Sequence, residues 1–381
     1  RASLAEQMTH EQIAEAQRLA REWLAQHQAD FRAGLDAYNQ SDYATALKEW
    51  QPLAEQGDAS AQFNLGVMYD HGQGVPQDDA EAVRWYRLAA EQGRVLAQTK
   101  LAILYYQGQG VPQDYGAAVR WWRLAAEQGH ADAQFNLGVL YDKGLGVPQD
   151  YAQARDWYRQ AAEQGHADAQ FNLGVMYSNG QGVPQDYGEA VRWYRLASEQ
   201  GKASAQHNLG LLYRLGQGVP QDDAEAVRWY RLAAEQGRVL AQTKLGILYD
   251  QGLGVPQDDG KAAHWFQLAA EQGNATAQFQ LGFKYDDGLG VPQDYGEAAR
   301  WYRLAAEQGM ADGQVKLGIM YQDGLGVLQD YVQAHMWYNL AAAQNQKDAT
   351  KLRAALAKDM PPEQIAEAQR LTREWLAQHQ K

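Results

Sequence analysis

The 381-residue sequence predicts an all-α fold: a solenoid of nine helical hairpins with terminal capping helices. Three observations predict it. The loop GQGVPQD at Gly72 returns, with small changes, at Gly108, Gly144, Gly180, Gly216, Gly252, Gly288 and Gly324, always 36 residues on. A fixed period of this length marks stacked repeats, each too small to bury its own apolar face. Each period also carries two apolar stripes at helical spacing. Finally, each loop is chemically suited to end one helix and begin another.

Residues 1–29 form an N-terminal amphipathic helix, in which Ile13, Leu19 and Trp23 share one face. Residues 30–57 form a short hairpin: Gly34, Tyr38, Ala46, Trp50 and Gly57 match the later repeats, but the GxGVP loop is missing. Residues 58–345 hold eight 36-residue units. In the first of these, Ala61, Leu65, Met68 and Tyr69 line helix A, while Ala82, Trp85, Tyr86, Ala89 and Ala90 line helix B at i, i+3, i+4, i+7 and i+8. Gly72 and Gly74 allow the positive φ that ends helix A, and Pro76 prevents its continuation. Asp78 is the N-cap of helix B, with Glu81 placed to complete a capping box. Ala102 replaces the glycine of Gly66, Gly138 and Gly174, so a slightly wider helix separation is expected there. Residues 346–381 form C-terminal capping helices that cover the apolar edge of the last repeat.

Composition narrows the function. The net charge of −13 disfavours nucleic acid and anionic membranes as partners, and no basic run reverses this locally. With no cysteine there is no disulfide framework or thiolate chemistry. No apolar run approaches the roughly 20 residues that span a bilayer. The chain begins at Arg1, which suggests a trimmed or processed product. The glycine loop is not read as a phosphate cradle: it leaves a helix, Pro76 lacks an N–H, and Asp78 would occupy the helix-end donors and repel an anion. His130 and His166 stand a full repeat apart with nothing to complete a zinc set, and read as surface loop residues. Pairs such as Asp78–Asp79 do not face each other across a substrate. Arg84, Arg87 and Glu91 read as a solvated outer face. No catalytic residue, metal site or cofactor is therefore expected. An enzyme or sugar binder acting on cell walls would need converging acids that the sequence does not offer.

The recurring pattern A-x-x-x-L-G-x-x-Y…G-x-G-V-x-x-D…A-x-x-W-Y-x-x-A-A-x-x-G resembles the SEL-one-like repeat (SLR), a relative of the tetratricopeptide repeat, over about 58–345. The resemblance implies an α/α solenoid coiled into a right-handed superhelix, used as a non-enzymatic adaptor that holds proteins together. Many bacterial members are exported, which favours a periplasmic or secreted location.

Alignment with tetratricopeptide repeats places Ser60, Phe63, Val67 and Asp70 on the concave side of helix A. The column of Phe63 continues through Phe135, Phe171, His207 and Phe279. Its neighbour supplies Asn64, Asn136 and Asn172, and flanking columns supply Tyr106, Arg214 and Phe283. These are the candidate contacts for a protein or peptide partner: the rings would hold apolar side chains and the asparagines would hydrogen-bond a ligand backbone. The competing reading is an inert stripe whose rings pack between repeats.

Finally, EQIAEAQRLAREWLAQHQ at Glu11–Gln28 reappears at Glu363–Gln380 with only Ala20 changed, to Thr372. The N-terminal copy reads as a linker helix, as a cap on its own chain, or as an element of self-association. In the last case Ile13, Leu19 and Trp23 would compete with Ile365, Leu371 and Trp375 for one groove and join copies in a head-to-tail or swapped assembly.

Overall fold

In a computed structural model, residues 10–379 are described, and among these every regular element is an α-helix. The chain forms two compact units, Arg1–Gln185 and Asp186–Lys381. The first contains α1 (His10–Asn39), α2 (Tyr43–Glu55), α3 (Ala59–His71), α4 (Asp79–Glu91), α5 (Val95–Gln107), α6 (Tyr115–Glu127), α7 (Ala131–Lys143), α8 (Tyr151–Glu163) and α9 (Ala167–Asn179). The second contains α10 (Tyr187–Glu199), α11 (Ala203–Leu215), α12 (Asp223–Glu235), α13 (Val239–Gln251), α14 (Asp259–Glu271), α15 (Ala275–Asp287), α16 (Tyr295–Glu307), α17 (Ala311–Asp323), α18 (Tyr331–Ala343), α19 (Lys347–Leu356) and α20 (Pro362–His379). From α3 to α18, odd-numbered helices are A and even-numbered helices are B. Within each unit a helix packs chiefly on its neighbours in sequence. This is an α/α solenoid.

The core is built from the constant positions. Ala61, Leu65, Met68, Ala82, Tyr86 and Ala89 are each fully buried, as are their counterparts in later repeats. Small residues set the helix separation: a Cβ on Gly138 would lie 2.6 Å from the Tyr158 ring, so glycine lets α7 settle onto α8. The second loop glycine has a role that the sequence alone did not reveal. Gly110 has φ +67°, and a Cβ there would lie 2.2 Å from the Asp79 carbonyl oxygen. The loop between α5 and α6 therefore presses on the start of α4 in the preceding repeat, and only glycine fits.

Three details differ from the sequence reading. The N-terminal helix and the first hairpin are not separated by a break, because α1 runs through both as one 30-residue helix. Gly34, matched in sequence to Gly66, serves packing as that glycine does: a Cβ there would meet the Trp50 indole at 2.4 Å. The capping box is half formed. Asp78 accepts from the backbone N–H groups of Ala80 and Glu81, whereas its own N–H donates to the Tyr69 carbonyl and Glu81 pairs with Arg84 at 3.0 Å. Arg87 is not merely solvated: its Nη2 donates to the Tyr105 hydroxyl at 2.7 Å, a link from α4 to α5 that recurs as Arg231 to Tyr249 and Arg303 to Tyr321.

A buried polar ladder ties repeats together. Gln62, Gln98, Gln134, Gln206, Gln242, Gln278 and Gln314 are all buried in A helices. Gln98 Nε2 donates to the Ala90 carbonyl at the end of α4, and Gln98 Oε1 accepts from Gln128 beyond α6. Each rung thus adds a side-chain donor to a carbonyl at one helix end and anchors the next.

Candidate functional site

The A-helix stripe lies at the seam between consecutive repeats, which explains how its rings are placed. Phe63 is half-buried, 5.7 Å from Tyr86 and beneath the Arg94 guanidinium at 5.1 Å. Phe135 is half-buried between Tyr158 and His166, stacked on the latter at 4.6 Å. Phe171 is half-buried. In the second unit Phe279 lies 5.7 Å from Tyr302, and Phe283 sits under the Lys316 ammonium at 5.4 Å. Each of these rings gives one part to repeat packing and keeps another accessible. Asn64, Asn136 and Asn172 are likewise half-buried, and Tyr106 stands beside Tyr115 and Trp122 at 5.3 and 5.6 Å. His207 is a correction to a uniform row of accessible rings. It is only 7 % exposed and packs on Tyr230 at 5.4 Å, because an imidazole is small enough to sink into the seam. Thr99, Thr243 and Val315 of the same column are buried too.

His130 and His166 are not free loop residues. Each caps a helix, its Nδ1 accepting from the N–H of Ala133 or Ala169 at 3.3 Å. Sequence reasoning missed this because histidine is an uncommon N-cap; the signal was its alignment with Asp58 and Asn274, which cap the same way. Among the described residues, no group of three or more His, Asp or Glu is placed to hold a metal ion.

The stripe carries its own charge pattern. Asp70 Oδ2 accepts from the Tyr86 hydroxyl at 3.1 Å and faces Lys100 Nζ at 3.7 Å. Asp286 repeats the arrangement with Tyr302 at 3.1 Å and Lys316 at 3.0 Å. Burial and then the adjoining carboxylates push both tyrosine hydroxyls far up from their ordinary range. Lys284, almost wholly buried, is held by Asp250 and Asp259. Burial pulls its ammonium down, but the two carboxylates outweigh that and leave it more basic than usual. Repeat five departs from the pattern: Arg214 stands where the acid would be, and burial followed by Arg238 and Lys244 pushes His207 down to about 4.

The two matching ends differ in burial. On α20, Ile365, Leu371 and Trp375 are half-buried; Leu371 and Trp375 join Met336, Trp337 and Leu340 of α18 in one cluster, with Trp375 6.3 Å from Trp337. On α1, Ile13 is half-buried, but Leu19 and Trp23 are 52 % and 57 % exposed, and Leu24 is also bare. The C-terminal copy therefore packs on α18 of its own chain, whereas the N-terminal copy leaves Leu19, Trp23 and Leu24 exposed.

The Sel1-repeat family profile matches residues 59–93, 95–130, 131–166, 167–202, 203–237, 239–274, 275–310 and 311–346. The chain belongs to the Sel1-repeat family. The repeats so matched are the A–B pairs of the solenoid. Two solved structures extend the likeness. A protective antigen present in uropathogenic Escherichia coli strains, displaying an SLR fold, is 36% identical with a TM-score of 0.61, covering 92% of this chain and 84% of its own. A Sel1 repeat protein from Oxalobacter formigenes is also 36% identical with a TM-score of 0.65, covering 81% of this chain and 90% of its own. No curated protein matches. Sel1-repeat proteins are generally protein-interaction scaffolds, and the fold is typically non-enzymatic. No helix among the described residues is long and apolar enough to cross a membrane.

Proposed function

We propose that this Sel1-repeat chain is a non-enzymatic scaffold that holds a protein or peptide segment along the A-helix side of its repeats. One observation carries the reading: side-chain identity changes from repeat to repeat on the half-exposed A-helix stripe, over a core whose residues barely change. Phe63, Phe135, Phe171, Phe279 and Phe283 offer apolar footholds beside the amides of Asn64, Asn136 and Asn172. Helices pack about 8–10 Å apart, and an extended peptide advances about 3.3–3.6 Å per residue, so roughly three ligand residues would span one rung. The test is a crosslinking pull-down from the native source with wild type and with the Phe135→Glu/Phe171→Glu variant. The variant, shown by circular dichroism to remain folded, is expected to lose the captured partner. Undiminished capture contradicts the proposal.

A second reading concerns the ends. Leu19, Trp23 and Leu24 of α1 are bare, while the same sequence in α20 is seated on α18; this favours α1 as an element of self-association. Light scattering on the full chain and on a chain lacking residues 1–28 checks it. A lower association number after the deletion is expected, and unchanged mass excludes the N-terminal helix.

A further inference from the structure

The lysines at one position of the A-helix stripe show what repeat five lacks. Lys100, Lys244 and Lys316 are equivalent residues. Thirty residues before the first and third stand Asp70 and Asp286, and each carboxylate both pairs with its lysine and accepts from a tyrosine hydroxyl. Thirty residues before Lys244 stands Arg214, so two cations occupy the place of an ion pair. The tyrosine of that repeat, Tyr230, is fully buried, and its hydroxyl has no partner. Beside it, His207 is 7 % exposed with Nδ1 unpartnered. Arg238 adds a third cation. Its counterpart Arg94 donates from Nη1 to Ser60, whereas the Arg238 guanidinium makes no hydrogen bond among the described residues; the Nε of both is buried without a partner. None of Arg214, Lys244 and Arg238 is in an ion pair among the described residues. The neighbouring acids do not compensate: Lys284 holds Asp250 and Asp259, and Asp223, one of whose oxygens is buried and unpartnered, is a single charge against three.

We infer that Lys244 and Arg238 beside His207, with Arg214 beside the adjoining Tyr230, form a subsite for a carboxylate side chain of an acidic peptide lying on the A-helix stripe. The inference rests on the peptide-binding reading above and adds the chemistry of one ligand residue. The guest carboxylate would do for repeat five what Asp70 and Asp286 do for theirs. It would neutralise adjoining cations through charge-assisted hydrogen bonds, which are short and strong. The three cations come from α11, α13 and the residue preceding α13, and Phe279 of α15 continues the stripe beyond them, as a stretch of chain would require. The overall charge of −13 does not forbid an acidic ligand, since at physiological salt fields fade over about 8 Å and the local group decides.

The experiment is fluorescence anisotropy at physiological salt, using a fluorescein-labelled nonapeptide with three glutamates and its glutamine twin, on the whole chain. The glutamate peptide should bind at least about tenfold more tightly than its twin. Arg214→Asp installs the acid found at Asp70, Asp142, Asp250 and Asp286 and should lower affinity by about tenfold or more without lowering the unfolding temperature. Lys244→Met should weaken binding in the same direction. Failure of the glutamate peptide to bind, equal binding of the two peptides, or an unaffected Arg214→Asp variant overturns the inference. So does displacement by inorganic phosphate at the concentration of the peptide, which would mark an ion site. Phe279→Ala separates this result from the broader reading. Loss with Phe279→Ala but not with Arg214→Asp leaves the stripe in place and removes the carboxylate subsite. Loss with Arg214→Asp but not with Phe279→Ala keeps the subsite and counts against apolar contacts by the stripe.

Discussion

Phenylalanine, threonine, valine and histidine share one column of the A helices, and the consequences of that choice are local. His207 occupies a seam that its equivalents fill with Phe135 or Phe279, and there it is buried beside Arg238 and Lys244. Burial first, and the two cations second, disfavour its charged form. The sign of the pH effect follows. The folded-state pKa, about 4, lies below the ordinary 6.5, so the unfolded chain binds the proton more readily. The stabilising contribution is present above about pH 6.5 and is lost as pH falls toward 4. A two-dimensional NMR titration should place the His207 midpoint near 4, and His207→Phe should remove that window from the pH dependence of unfolding. A midpoint near the ordinary value would mean that the ring is not buried as described. The column itself was legible in the sequence. The burial of His207 was not, because spacing identifies a helix face and does not say which side chains are small enough to sink into the seam between repeats.

At the scale of helices and loops, the glutamine ladder matters most. Stripes, caps and loop punctuation could be read from residue types, since glycine, proline and aspartate act through their own backbone or immediate neighbours. The ladder escaped the same reading because its partners lie in other helices. Gln134 donates to the Ala126 carbonyl and accepts from Gln164, and no local pattern announces that a glutamine faces inward. The half-formed capping box at Asp78 has the same origin: the Tyr69 carbonyl competes successfully for the Asp78 N–H. Gln134→Ala should remove two hydrogen bonds, the one it donates to the Ala126 carbonyl and the one it accepts from Gln164, at a cost of about 1–3 kcal/mol. In a linear array the damage falls on the mutated repeat and its neighbours, so hydrogen exchange is the suitable measurement. Faster exchange in α7 and at the ends of α6 and α8, with α3 unchanged, is the expected outcome. Uniform protection would deny the ladder its role.

Across the whole chain, the fold was almost fully legible, because a 36-residue period admits few architectures and eight copies reinforce one another. The candidate surface was legible only as a stripe. Which rings remain accessible depends on contacts between repeats, as the contrast between Phe283 under Lys316 and the sunken His207 makes clear. The matching terminal sequences were visible at once, but their unequal burial was not, since it depends on α20 being seated on α18 while Leu19 and Trp23 of α1 stay exposed. The central claim is that packing consumes the constant positions and leaves the A-helix stripe to meet a partner. Site-specific photocrosslinking tests it most directly, with a benzophenone side chain placed at Phe135 or Phe279 on the stripe and at Arg120 or Arg228 on the B helices. Partner adducts from the stripe positions and none from the B-helix positions are predicted; adducts from the B helices with none from the stripe would contradict the account.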